Sequence, residues 1–173
     1  MGTSKEVEIN GGILVGHDGS MFADQAVSWA LKLARALGIP VTIVRAWSLT
    51  TASRPESWSP GYMPPLEDFE AAVVEALRRD TELALADYQD VQVSCQAVHG
   101  KPARRLIEAS RKADMIVVGR RGLGGFKGLL LGSVSEQIVG NAHCTVVVVK
   151  SSNDDQSPAQ VEPDQGLEPA PTD

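Results

Sequence analysis

The chain has 173 residues, 43% of them hydrophobic, enough to bury one core and too few for several. It holds no apolar run near the roughly 20 residues that a membrane-spanning helix needs, and its two cysteines and three scattered histidines supply neither a disulfide framework nor a metal-ligand spacing. The net charge of −6 sits wholly at the chain's end: from Ser151 on there are six acidic residues and no Lys or Arg, which leaves 16 of each sign before it and no basic stripe to attract nucleic acid.

In chain order, residues 1–9 read as an N-terminal extension without a signal-like apolar stretch, so the protein is expected in the cytoplasm. Residues 11–17 (GGILVGH) form a short apolar run that ends at DGS, a turn and helix-start signal with Asp18 and Ser20 as candidate caps. Apolar residues then recur near a 3.6 period at Phe22, Ala26, Trp29, Ala30, Leu33 and Leu37, which predicts a helix over 21–37 closed by Gly38. A strand over 40–47 (PVTIVRAW) leads into a long loop, 48–65, rich in Pro, Ser and Gly; loops of that length are often functional. The spacing of Phe69, Val73, Leu77 and Leu83 predicts a helix over 66–88. A strand over 91–99 follows, then a helix over 102–113 with Pro near its first turn and a buried strand over 114–119. A glycine-rich loop, a helix over 133–141 and a strand over 144–150 complete the order, with Cys95 and Cys144 inside strand-like runs as buried, reduced thiols. Residues 151–173 are acidic, carry four prolines and have almost nothing to bury, the composition of a disordered tail.

Strict alternation of strand and helix implies an α/β fold, a parallel sheet with helices on both faces, spanning 10–150 as a single domain. Ligands of such sheets bind beyond the carboxyl ends of the strands, where the strand order reverses. The first and fourth strands end in GHDGS and VVGRRG, and as neighbours their ends would share one crevice.

The glycine-rich segment opens with Gly119 and Gly122 and returns at Gly132–Ser133, a G-x-x-G, nine residues, then G-S. It fits neither a Walker loop, which needs Gly-Lys followed by Ser or Thr, nor the G-x-G-x-x-G turn of a dinucleotide fold. A loop that re-enters a helix at Gly132 brings unpaired N–H groups and a positive dipole end to one place, which suits phosphate. Glycine at 119, 122 and 132 would let backbone amides approach that phosphate, with the hydroxyls of Ser133 and Ser135 as further donors. Read structurally, the same glycines turn a loop and Ser133 caps its helix.

With VGHDGS, VRAW and DMIVVGRRGLGGFKGLLLGSVSEQIVGNAHCTVVVVK, the chain resembles the universal stress protein family, in its ATP-binding subgroup, over roughly residues 10–150. The resemblance implies a five-stranded parallel sheet of order 3-2-1-4-5 and a dimer joined through the last strand, 144–150. It implies ATP as ligand, with Mg2+ or Mn2+. Asp18 would face the ribose and adenine, and the main chain at Ala46 would read the base edge. Val118 and Gly119 would lie under the sugar and phosphates, and Gly122, Gly132, Ser133, Val134 and Ser135 would hold the phosphates. Arg121 and Lys127 are added as phosphate contacts on charge alone. His17 stands where the family commonly has a small or apolar residue, and Thr145 where it often has proline.

No residue pattern here supplies a catalytic base beside the phosphates, so a binding module is expected, hydrolysing ATP slowly at most. An adenylyltransferase of related fold would carry S-G-G-x-D-S, which GHDGS lacks. A cyclic-nucleotide (cAMP) module and a nucleotide-independent dimeric scaffold contacting another protein remain as alternatives, and no membrane partner is expected.

Overall fold

The computed structural model describes residues 6–124 and 130–150. Expectations for Lys127 and for the acidic stretch 151–173 lie outside the described residues. Strands β1 (Ile13–Gly16), β2 (Val41–Trp47), β3 (Val93–His99), β4 (Met115–Gly119) and β5 (Thr145–Val149) alternate with helices α1 (Met21–Leu37), α2 (Leu66–Ala86), α3 (Pro102–Ala109) and α4 (Ser133–Asn141). All pairings are parallel, in the order β3-β2-β1-β4-β5. That is the order the family resemblance implied: the strands run outward from β1 to β3 on one side and from β4 to β5 on the other, so the strand order reverses between β1 and β4.

Period-two alternation sorts the strand residues onto two faces. Ile13, Val15, Val41, Ile43 and Val117 pack under α1 and α2 with Val27, Leu31 and Leu77. Leu14, Val44, Val98, Ile116 and Val118 pack under α3 and α4 with Leu106 and Ile138. The extension joins this second core: Val7 is buried in it, the Glu8 amide donates to Gln96 Oε1 at 2.9 Å, and Gln96 Nε2 donates to the Glu8 carbonyl at 2.6 Å.

Helix α1 has the predicted bounds. Ser20 is its N-cap, accepting from the Ala23 amide, and Gly38 closes it at φ 66°. Its buried face is Ala23, Ala26, Val27, Ala30, Leu31 and Ala34, whereas Trp29 and Leu37 of the predicted stripe are exposed. Four alanines together with Val27 and Leu31 make that face, and Trp29 and Leu37 lie off it. In α2, Leu83 is 90% exposed and Thr81 is buried instead. Its hydroxyl donates to the Leu77 carbonyl at 2.8 Å, so a polar residue enters the core with its hydrogen bond made inside its own helix. The third helix ends at Ala109 and continues as one 3-10 turn, Ser110–Lys112. Cys95 and Cys144 are free and half-buried rather than fully buried, Cys144 lies just outside β5, and desolvation raises both thiol pKa values.

Candidate functional site

The carboxyl ends of β1, β2, β3 and β4 open into one cavity of about 580 Å³. All ten residues selected from the sequence border it: Asp18, Ala46, Val118, Gly119, Arg121, Gly122, Gly132, Ser133, Val134 and Ser135. Ala46 is next to last in β2 and Gly119 ends β4, two places apart in the sheet, so the two strand ends are about 10 Å from each other. That separates a position beside β2 from one beside β4 and α4.

The α4 end is the anion-favouring pole. Its N-cap is Gly132, which offers no side-chain acceptor, so the first-turn amides of Ser133, Val134 and Ser135 lack a side-chain cap and border the cavity. Ser133 is exposed at the first helical position and does not cap the helix. Ser135 behaves differently from expectation: its buried hydroxyl donates to the Gly119 carbonyl at 2.8 Å. The O–H is therefore occupied in tying β4 to α4, and only the backbone amide remains for a ligand.

The three motif glycines also have distinct reasons. A Cβ at Gly119 would lie 2.6 Å from the Phe22 carbonyl oxygen, so glycine lets the end of β4 pass against the first turn of α1. A Cβ at Gly122 would collide with the Asp18 carboxylate. At Gly132 the nearest atom to an added Cβ is Arg121 Cα at 3.4 Å, ordinary contact. Packing thus explains Gly119 and Gly122, while Gly132 keeps the α4 N-terminus open.

Asp18 does not cap α1. Its Oδ1 accepts from the Ser20 amide at 3.0 Å and its Oδ2 from the Leu123 amide at 2.9 Å, so it fastens the end of β1 to the start of the glycine-rich loop. Among the described residues bordering the cavity it is the one carboxylate. His17 beside it is 4% exposed. Its Nε2 lies 2.9 Å from Asp24 Oδ1 and its Nδ1 2.6 Å from Arg45 Nη2, so both ring nitrogens are engaged within the protein. Burial, the largest influence, holds its pKa below 6.5; Asp24 opposes this, and Arg45 reinforces it.

A wall formed by the last residue of β2, the end of β3 and the connection after it was not foreseen from the sequence. Trp47, His99, Gly100 and Lys101 border the cavity, with the Trp47 and His99 rings edge to face at 4.9 Å and the Gly100 amide donating to the Trp47 carbonyl at 2.9 Å. Thr51 and Ser53 of the long loop border it too. No pattern in the sequence marks this wall, which exists because β3 pairs beside β2. Among the described residues, no group of three or more His, Cys, Asp or Glu is placed to hold a metal ion, and no helix is long and apolar enough to cross a membrane.

The universal stress protein family model matches residues 11–150. A universal stress protein of Mycobacterium tuberculosis is 36% identical over 148 residues, 81% of this chain and 45% of that protein. One from Mycolicibacterium smegmatis is 34% identical over 157 residues, 84% of this chain and 49% of its own. The chain thus spans about half the length of these relatives. Among solved structures, UspA of Lactobacillus plantarum superposes with a TM-score of 0.60 at 21% identity, covering 83% of this chain and 99% of that one. A universal stress protein in complex with cAMP gives 0.58 at 26% identity, over 81% and 96%. One from Arabidopsis thaliana with AMP bound gives 0.53 at 18%, over 87% and 97%, a likeness of fold.

Proposed function

The chain belongs to the universal stress protein family, and we propose that its crevice binds an adenine nucleotide, with the base beside Ala46 and the phosphates at the N-terminus of α4. The observation that carries this is convergence. Ten residues chosen from four stretches of sequence border one cavity, and the helix end among them presents amides without a side-chain cap. The cAMP held by one structural neighbour and the AMP held by another support the same ligand class.

ATP is the ligand we favour, because the α4 amides without a side-chain cap border a cavity of about 580 Å³. A divalent cation would arrive on the phosphates. Asp18 accepts one backbone hydrogen bond on each carboxylate oxygen and keeps a lone pair on each, so it is the cavity-lining carboxylate that could reach such a cation. Asp18 and His17 are both engaged internally, which supports a binding module that hydrolyses ATP slowly at most. Nucleotide occupancy would then act by favouring one conformation of the crevice rim, including the 48–65 loop. The half-buried valines of β5 at the sheet edge support homodimerisation through that strand. A second reading, cAMP as ligand, is favoured by the cAMP complex at 26% identity.

The test is to purify the full chain without added nucleotide, denature it and identify released small molecules by mass spectrometry. ATP or ADP near one per chain supports the first reading and cAMP the second. An empty protein that also takes up no adenine nucleotide on titration sinks both and leaves the scaffold.

A further inference from the structure

His17 follows β1 directly, and its side chain is closed to solvent. The Arg45 guanidinium at 2.6 Å and the Gly19 amide at 3.2 Å are both donors, so Nδ1 must present its lone pair to them. The single ring proton then sits on Nε2, directed at Asp24 Oδ1 at 2.9 Å. Arg45 also donates to Asp80 Oδ2 at 2.6 Å, so the chain Asp80–Arg45–His17–Asp24 links α2, β2, the end of β1 and α1. The charged groups facing the ring are Asp24 on α1, Arg45 on β2 and Asp18 on its own turn; Asp80 on α2 reaches it through Arg45.

A second proton on this ring would set an N–H at Nδ1 against two donors. Either Arg45 withdraws or the turn at His17–Gly19 opens, and a buried charge is left behind. The residue in the middle of that turn is Asp18, whose carboxylate fastens the glycine-rich loop through the Leu123 amide. We propose that His17 is a positioning residue for the nucleotide site: its neutral ring holds the Asp18 turn against the loop, and acidification that protonates it releases the nucleotide. This rests on the nucleotide reading above.

The experiment follows dissociation constants for ATP and cAMP from pH 8 down through the His17 midpoint, located by nitrogen NMR, in the full wild-type chain and in His17→Asn. The Asn Oδ1 keeps an acceptor toward Arg45 and the Gly19 amide but cannot titrate. Wild-type affinity is expected to fall about tenfold for each pH unit below the His17 midpoint. His17→Asn should show only the slope from the nucleotide's own protonation, whatever its affinity at pH 8. Nitrogen NMR of the wild-type imidazoles supplies a second readout that needs no variant. By reciprocity, saturating nucleotide should move the His17 midpoint further down. Parallel pH profiles in the two proteins, or a midpoint unmoved by bound nucleotide, overturn the proposal. Absence of binding at every pH overturns the nucleotide reading with it, whereas pH-independent binding overturns this inference alone.

Discussion

Gly119→Ala separates the packing role of the motif glycines from their ligand role. An alanine Cβ at 119 would lie 2.6 Å from the Phe22 carbonyl oxygen, 2.7 Å from its carbonyl carbon and 2.9 Å from its Cβ. Two of those atoms are backbone in the first turn of α1, so relief requires the helix and β4 to part rather than a side chain to swing. Overpacking of this kind costs about 1–3 kcal/mol. For a chain of this length each kcal/mol lowers the melting temperature by about 2–4 °C, so a cost of about 2 kcal/mol predicts a fall of about 4–8 °C. Gly132→Ala is the contrast: its Cβ meets nothing closer than 3.4 Å, and φ there is −75°. Its cost should stay within about 1 kcal/mol, the scale of an N-cap preference. Thermal and urea melts followed by circular dichroism, in nucleotide-free buffer so that ligand does not shift the midpoint, measure both. Gly119→Ala melting with the wild type, or Gly132→Ala falling as far, would refute the packing argument.

The two serines of α4 should divide in the same way. Ser133→Ala is expected to leave the melting temperature unchanged and weaken nucleotide binding several-fold, measured by calorimetry, because the hydroxyl is exposed and does not cap the helix. Ser135→Ala leaves the Gly119 carbonyl without its buried partner and should cost about 1–3 kcal/mol in urea unfolding. Leu77→Ala, at 0% exposure in the core beneath α2, should cost about 2–5 kcal/mol in the same assay. The folded pKa of His17 lies below the unfolded 6.5, so its contribution is fully present above about pH 6.5 and is lost as pH falls through the folded value. Urea midpoints should therefore decline in acid, and less steeply in His17→Asn.

Much of the fold was legible because the alternation of strand and helix leaves few arrangements, and α1 carried both a cap signal and Gly38 at its ends. The errors came where volume and polarity mislead. Ala26 and Ala30 of the expected stripe are buried, but Trp29 and Leu37, which looked like core by hydrophobicity, are exposed, and Ala23, Val27, Leu31 and Ala34 complete the buried face instead. Leu83 lost its place to Thr81, whose hydroxyl bonds within the helix. The site was legible where residues are close in sequence, as in Gly119 to Ser135. It was not legible at His99 and Lys101, which reach the cavity only through the pairing of β3 with β2. Nor could spacing reveal that Ser135 faces a carbonyl or that Asp18 grips the Leu123 amide 105 residues away, since both depend on tertiary contact.

The most direct test of the central claim is calorimetric titration of the full chain with ATP, AMP and cAMP in turn, each then challenged with the others. One site per chain, at which the three compete, is expected. Binding of none of them at millimolar concentration, by a chain whose melting curve shows it folded, would contradict it.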